Sequence, residues 1–91
     1  MNILDIQNYT LNSNLITKKI DNIMMIYNKG NGDMYEINDV GGDILSCLQK
    51  HLSFKEILNY LLETYDVPRE MAIEEMEEFL SRLIELGVLL I

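Results

Sequence analysis

Between Asp33 and Leu48 the sequence DMYEINDVGGDILSCL changes its period. Up to Ile37 side chains alternate, so Tyr35 and Ile37 fall on the face opposite Met34 and Glu36, as in a strand. From Val40 onward the apolar residues Val40, Ile44, Leu45 and Leu48 recur at helical spacing. The change divides the chain: β-type segments come before it and helical ones after it. Upstream, β-branched and aromatic runs at 15–20, 23–28 and 33–37 are separated by Asp21-Asn22 and by the turn-forming NKGNGD. This pattern predicts a three-stranded antiparallel meander with one face available for burial.

Downstream, three helices are predicted. Asn38 or Asp39 can cap the first, which should end near Lys50. SFKE matches a capping box, with Glu56 three residues after Ser53, and Phe54, Ile57, Leu58, Leu61, Leu62 and Tyr65 give the second helix one apolar face. Pro68 suits the first turn of the third, although Val67 before it is a poor cap, and Gly87 is a natural stop after Leu86. VLLI ends the chain as a short apolar tail. The order of elements predicts an α+β fold like a winged helix-turn-helix with its sheet placed first: a three-stranded antiparallel sheet followed by three helices. Residues 1–14, Asn-rich and without a period, are expected to form a loosely docked N-terminal arm to a domain spanning 15–91.

Ninety-one residues fit one small domain, and a hydrophobic content of 48% is ample for its core. No apolar run approaches the roughly 18 residues that span a bilayer, and MNILDIQNYT lacks the basic start and apolar block of a secretory signal. The expectation is a cytoplasmic protein with no membrane association. Cys47 is the only cysteine, so no internal disulfide can form. The net charge of −8 is uneven: residues 1–38 hold three Lys and four acids, and 39–91 hold four Lys/Arg and eleven acids. Such a balance opposes nucleic-acid binding, which draws on basic surfaces, and favours a basic partner.

Little in the chain suits catalysis. Cys47 and His51 are spaced i, i+4, but two ligands do not complete a structural zinc site or an iron-sulfur cluster. Cys47 reads as a small core hydrophobe and His51 as a helix C-terminal residue. KGNGDMY has glycines two apart without the strand-then-helix setting of a dinucleotide loop. No catalytic residue, metal site or cofactor is expected. The third helix is more informative. Ala72, Met76, Phe79, Leu83 and Leu86 form a central stripe, and Ile73, Leu80 and Ile84 widen it as far as Glu77 to about 160°, where somewhat over 100° seats a surface helix. The surplus could face the sheet, the first helix, a second copy of the chain or a ligand. Beside it, Glu70, Glu74, Glu77 and Glu78 form either a solvated face or a surface that recognises Lys or Arg.

YEINDVGGDIL (35–45), SFKEILNYLLETYDV (53–67) and MEEFLSRLIELGVLL (76–90) together resemble the PqqD family, also called peptide recognition elements, over roughly residues 15–91. The resemblance implies a non-catalytic protein that captures the leader of a ribosomally synthesised precursor peptide and presents it to a modifying enzyme, such as a radical SAM maturase or a lasso-peptide protease or cyclase. In that family the leader adds as a strand to the third strand and lies against the third helix. By position, this implies a peptide site on Met34, Tyr35, Glu36 and Ile37 of the strand and on Ile73, Met76, Glu77 and Leu80 of the helix. Val67 departs from a position where the family often has a polar cap, and the heavy acidity is not a family requirement. A homodimer stays open as an arrangement. The alternative function is a winged-helix regulator or a small protein–protein interaction module, although the basic recognition helix that DNA would need is missing.

Overall fold

A computed structural model describes residues 5, 6 and 8–91. Its elements in chain order are β1 (Thr10–Leu11), β2 (Leu15–Ile20), β3 (Ile23–Asn28), β4 (Met34–Ile37), α1 (Asp39–Gln49), α2 (Phe54–Thr64), α3 (Arg69–Glu85) and β5 (Leu89–Leu90). Strands β2, β3 and β4 form an antiparallel meander in that order, with Ile16 opposite Tyr27 and Tyr27 opposite Met34. The two-residue turn between Ile20 and Ile23 places Asp21 at φ 55°, a left-handed conformation that a short Asp side chain tolerates. The α+β order expected from the change of period is thus the observed one.

Each helix begins and ends where its sequence supplies partners for the free backbone groups. At α1 the Asn38 side chain accepts from Gly41 N at 2.9 Å, so Asn38 rather than Asp39 is the cap. At α2 both halves of the capping box are present, Glu56 N to Ser53 Oγ at 3.1 Å and Ser53 N to Glu56 Oε1 at 3.0 Å. That bond to the backbone of Ser53 holds the Glu56 carboxyl below its ordinary value. Pro68 caps α3 without a side-chain bond, one position before the first turn where the sequence placed it. At the end of α1, His51 takes φ 61° while His51 N donates to Leu48 O and Leu52 N to Cys47 O, a Schellman motif with histidine in the usual glycine position. Gly87, φ 72°, closes α3 in the same way.

The inner face of the sheet (Ile26, Ile37) packs with Ile44, Leu45 and Leu48 of α1, Phe54, Ile57, Leu58 and Leu61 of α2, and Ala72, Met76, Leu80 and Leu83 of α3. Val88 and Leu89 of the apolar tail are also buried, whereas Leu90 and Ile91 are exposed. The N-terminal segment differs from the expectation of a loose arm. Thr10 and Leu11 pair antiparallel with Leu90 and Leu89, and Asn12 bonds through its backbone to Val88 O at 2.9 Å and through its side chain to Gly87 O at 3.0 Å. The Tyr9 ring stacks on Phe54 at 5.2 Å and its hydroxyl donates to Leu52 O. The rest of the arm, residues 1–4 and 7, lies outside the described residues. Among the described residues no helix is long and apolar enough to cross a membrane.

Candidate functional site

Among the described residues strand β4 pairs only with β3, so its other side is an open sheet edge. Asn28 N donates to Asp33 O at 2.9 Å, which fixes the phase of the ladder. Hydrogen-bonded and non-bonded pairs alternate in an antiparallel ladder, so Tyr35 and Ile37 bond inward to Ile26 and Met24. The peptide groups of Met34 and Glu36 therefore point out to the free edge, ready for an added strand.

Beside this edge lies a groove of about 410 Å³. Ile26, Ile37, Leu83 and Val88 form its floor, and Phe79 and Leu86 of the α3 end form its helical wall. Of the described residues that line it, Glu36 is the one acid and Arg82 the one base. Tyr35, also at the groove, donates to Asp33 Oδ2 at 3.0 Å; burial first, then this bond, raises its phenol above its ordinary value. A groove with an apolar floor and exposed Glu36, Asn38 and Arg82 at its border, beside unpaired strand groups, can hold an extended peptide, with main-chain bonds giving attachment and alternate side chains giving register.

The Val-Gly-Gly junction lies against two residues of the groove, Ile37 and Phe79. A methyl group added at Gly41 would collide with Ile37 Cγ2 and come within 2.8 Å of Phe79 Cε1, whereas one at Gly42 would meet only Met24, at 3.7 Å or more. Gly41 thus allows strand β4, helix α1 and helix α3 to meet at one point. Its neighbour has no such duty.

The site residues expected from the sequence divide. On β4, Met34 is 63% exposed, Glu36 is exposed, Tyr35 is partly buried and Ile37 is buried with its side chain in the groove floor. On α3 the residues expected at the groove are elsewhere. Met76 and Leu80 are 0% exposed and belong to the core, so no peptide touches them without unpacking it. Ile73 and Glu77 lie on the far flank of the Met76 stripe, about 120° or more around the helix from Leu86. The groove instead uses Phe79, Arg82, Leu83 and Leu86. A helical wheel gives the width of the apolar stripe but not which flank borders the sheet edge, since that depends on how α3 crosses β4. The clue present in the sequence was Arg82, the one base in the acidic second half of α3.

Other polar groups have ordinary structural roles. Cys47 is buried, which raises its thiol above its usual value, and His51 is exposed beyond the helix end, so the two do not converge. Among the described residues no group of three His, Cys, Asp or Glu is placed to hold a metal. The acidic face of α3 carries Glu70, Glu74, Glu75, Glu77, Glu78 and Glu85 against Arg69 and Arg82, the reverse of a DNA-reading surface.

The family model of coenzyme PQQ synthesis protein D (PqqD) matches residues 24–89, from β3 into β5. The chain belongs to the PqqD family. Two solved structures share the fold of this PqqD-family chain. One is TbiB1 in complex with the TbiA(beta) leader peptide, 21% identical, with 88% of this chain and 93% of that chain covered and a TM-score of 0.83. The other is lasso peptide synthetase B1 complexed with the leader peptide, 22% identical, covering 91% and 98% of the two chains, also at 0.83. No curated protein sequence matches the chain. The family match spans both walls of the groove, β4 and the end of α3.

Proposed function

We propose that this PqqD-family protein is a non-catalytic peptide-binding protein that captures the leader of a ribosomally synthesised precursor by strand addition at β4. It presents that leader, in the cytoplasm, to a modifying enzyme of the radical SAM or lasso-peptide protease and cyclase kind. The observation that carries the reading is the open β4 edge beside an apolar groove, in a fold shared with two proteins described in complex with leader peptides. The leader's backbone bonds to the peptide groups of Met34 and Glu36, and its large apolar side chains enter between Ile37 and the Phe79–Leu86 wall. A regulator of DNA is disfavoured by the glutamates of α3.

The β4 edge supplies its own test, because proline removes a backbone N–H donor. Glu36→Pro removes one that faces the open edge, whereas Tyr35→Pro removes one bonded to β3. With peptides tiled across the small open reading frames beside the gene, Glu36→Pro should keep the wild-type circular dichroism spectrum and lose binding. Tyr35→Pro should lose the fold. Undiminished binding by Glu36→Pro would overturn strand addition at β4.

A further inference from the structure

Nine large apolar side chains are exposed among the described residues, and five of them, Ile16, Ile20, Ile23, Tyr27 and Met34, share the sheet face turned away from the helices. Contiguous exposed apolar surface on a small protein marks a contact site. The groove lies between β4 and α3 and leaves most of this face uncovered. The strand registers arrange the face in three rows. Ile16, Tyr27 and Met34 form one, Lys18, Met25 and Glu36 the next, and Ile20 with Ile23 the last. The middle row therefore reads positive, apolar, negative from one sheet edge to the other.

That order is self-complementary under one twofold axis. When a second copy is laid face to face by a half-turn about an axis parallel to β3, its β2 lies over β4 and its β4 over β2. Lys18 then meets the partner's Glu36 and Glu36 meets the partner's Lys18. Met25 meets the partner's Met25, and the all-apolar rows stack on themselves. A half-turn about the perpendicular in-plane axis would set Lys18 over the partner's Lys18 and Glu36 over the partner's Glu36, two like-charge contacts. The charges select the first arrangement.

We infer that the outward face of the β2–β3–β4 sheet is a self-association surface on which two copies pack face to face with reciprocal Lys18–Glu36 pairs. Two six-residue strands of about 20 Å and the four-residue β4 of about 14 Å, spaced about 5 Å apart, cover only a few hundred Å², below the roughly 800 Å² per partner of a stable interface, so the dimer forms at high protein concentration. This goes beyond leader binding; Ile23 and Glu36 of this face also border the groove, so the pair and a bound leader share that lip.

Sedimentation equilibrium of the full chain from micromolar to millimolar concentration tests it without any peptide. The wild-type weight-average mass should climb from 10.6 kDa toward twice that value. Lys18→Glu and Glu36→Lys should each weaken association at least threefold, and the double variant Lys18→Glu/Glu36→Lys should restore it. Lys55→Glu, on α2, should leave it unchanged. Glu36→Lys separates face pairing from general repulsion, because it lowers the net negative charge and would otherwise strengthen association. A mass fixed at 10.6 kDa, or a double variant no better than the single ones, would overturn the inference.

Discussion

At the level of single residues, two adjacent glycines in one helix do opposite work. Ala in place of Gly41 must displace both Ile37, a buried β-branched residue, and Phe79, so Gly41→Ala should cost about 1 to 3 kcal/mol in urea unfolding and disturb the groove. Gly42→Ala meets only ordinary contacts and should gain about 0.5 to 1 kcal/mol from helix propensity. His51 offers a second gain: a residue other than glycine at φ 61° is strained, so His51→Gly should stabilise by about 1 kcal/mol. Much of this scale was legible in the sequence. The capping box at Ser53 and the stop at Gly87 lie within a few positions of the groups they satisfy, and local chemistry identifies them. The duty of Gly41 was not, because its neighbour Phe79 is remote in the chain and only the packed fold brings the two together.

Elements were legible in proportion to their length. The runs at 15–20 and 23–28 became β2 and β3 with unchanged bounds, because six residues of β-type composition between clear turn signals are readable. β1 and β5 have two residues each, too few for any period, and pair across nearly the whole chain. Tyr9 on Phe54 helps Asn12 hold that pairing down, so Tyr9→Ala should cost about 2 to 4 kcal/mol and expose the β1–β5 amides to hydrogen exchange. The end of α2 is tied to α1 by the Tyr65 hydroxyl, which donates to Asp43 Oδ2. That bond, with a smaller contribution from burial, pushes the Tyr65 phenol up to about 12 from an ordinary 10. An acid whose pKa is raised by folding stabilises the fold fully below its unfolded pKa and loses that contribution as pH rises through the folded one. Stability should therefore fall between about pH 10 and pH 12, and Tyr65→Phe should flatten that part of the profile in pH-dependent chemical unfolding.

For the whole molecule, the question is whether a net charge of −8 or the groove governs leader binding. Exposed charge pairs contribute about 0 to 1 kcal/mol, and a large apolar side chain moved from water into a pocket contributes about 1.5 to 3. Most of the acids of α3 stand on its exposed surface, away from the groove, where Arg82 is the base. The groove should therefore decide. Leu86→Ser, which trims a partly buried wall residue, should weaken binding of a leader peptide about tenfold or more in a fold that stays intact. Glu77→Lys, on the other flank of α3, should change it by less than about threefold. Raising salt from about 50 mM to about 500 mM should likewise have only a small effect, because screening acts on exposed charges and not on buried apolar contact. Leu80→Asp is a different kind of change: it places a carboxylate at a position 0% exposed and should unfold the domain outright, which circular dichroism would register before any binding is measured. Binding that collapses with salt while Leu86→Ser is silent would move the site from the β4–α3 groove to the acidic surface.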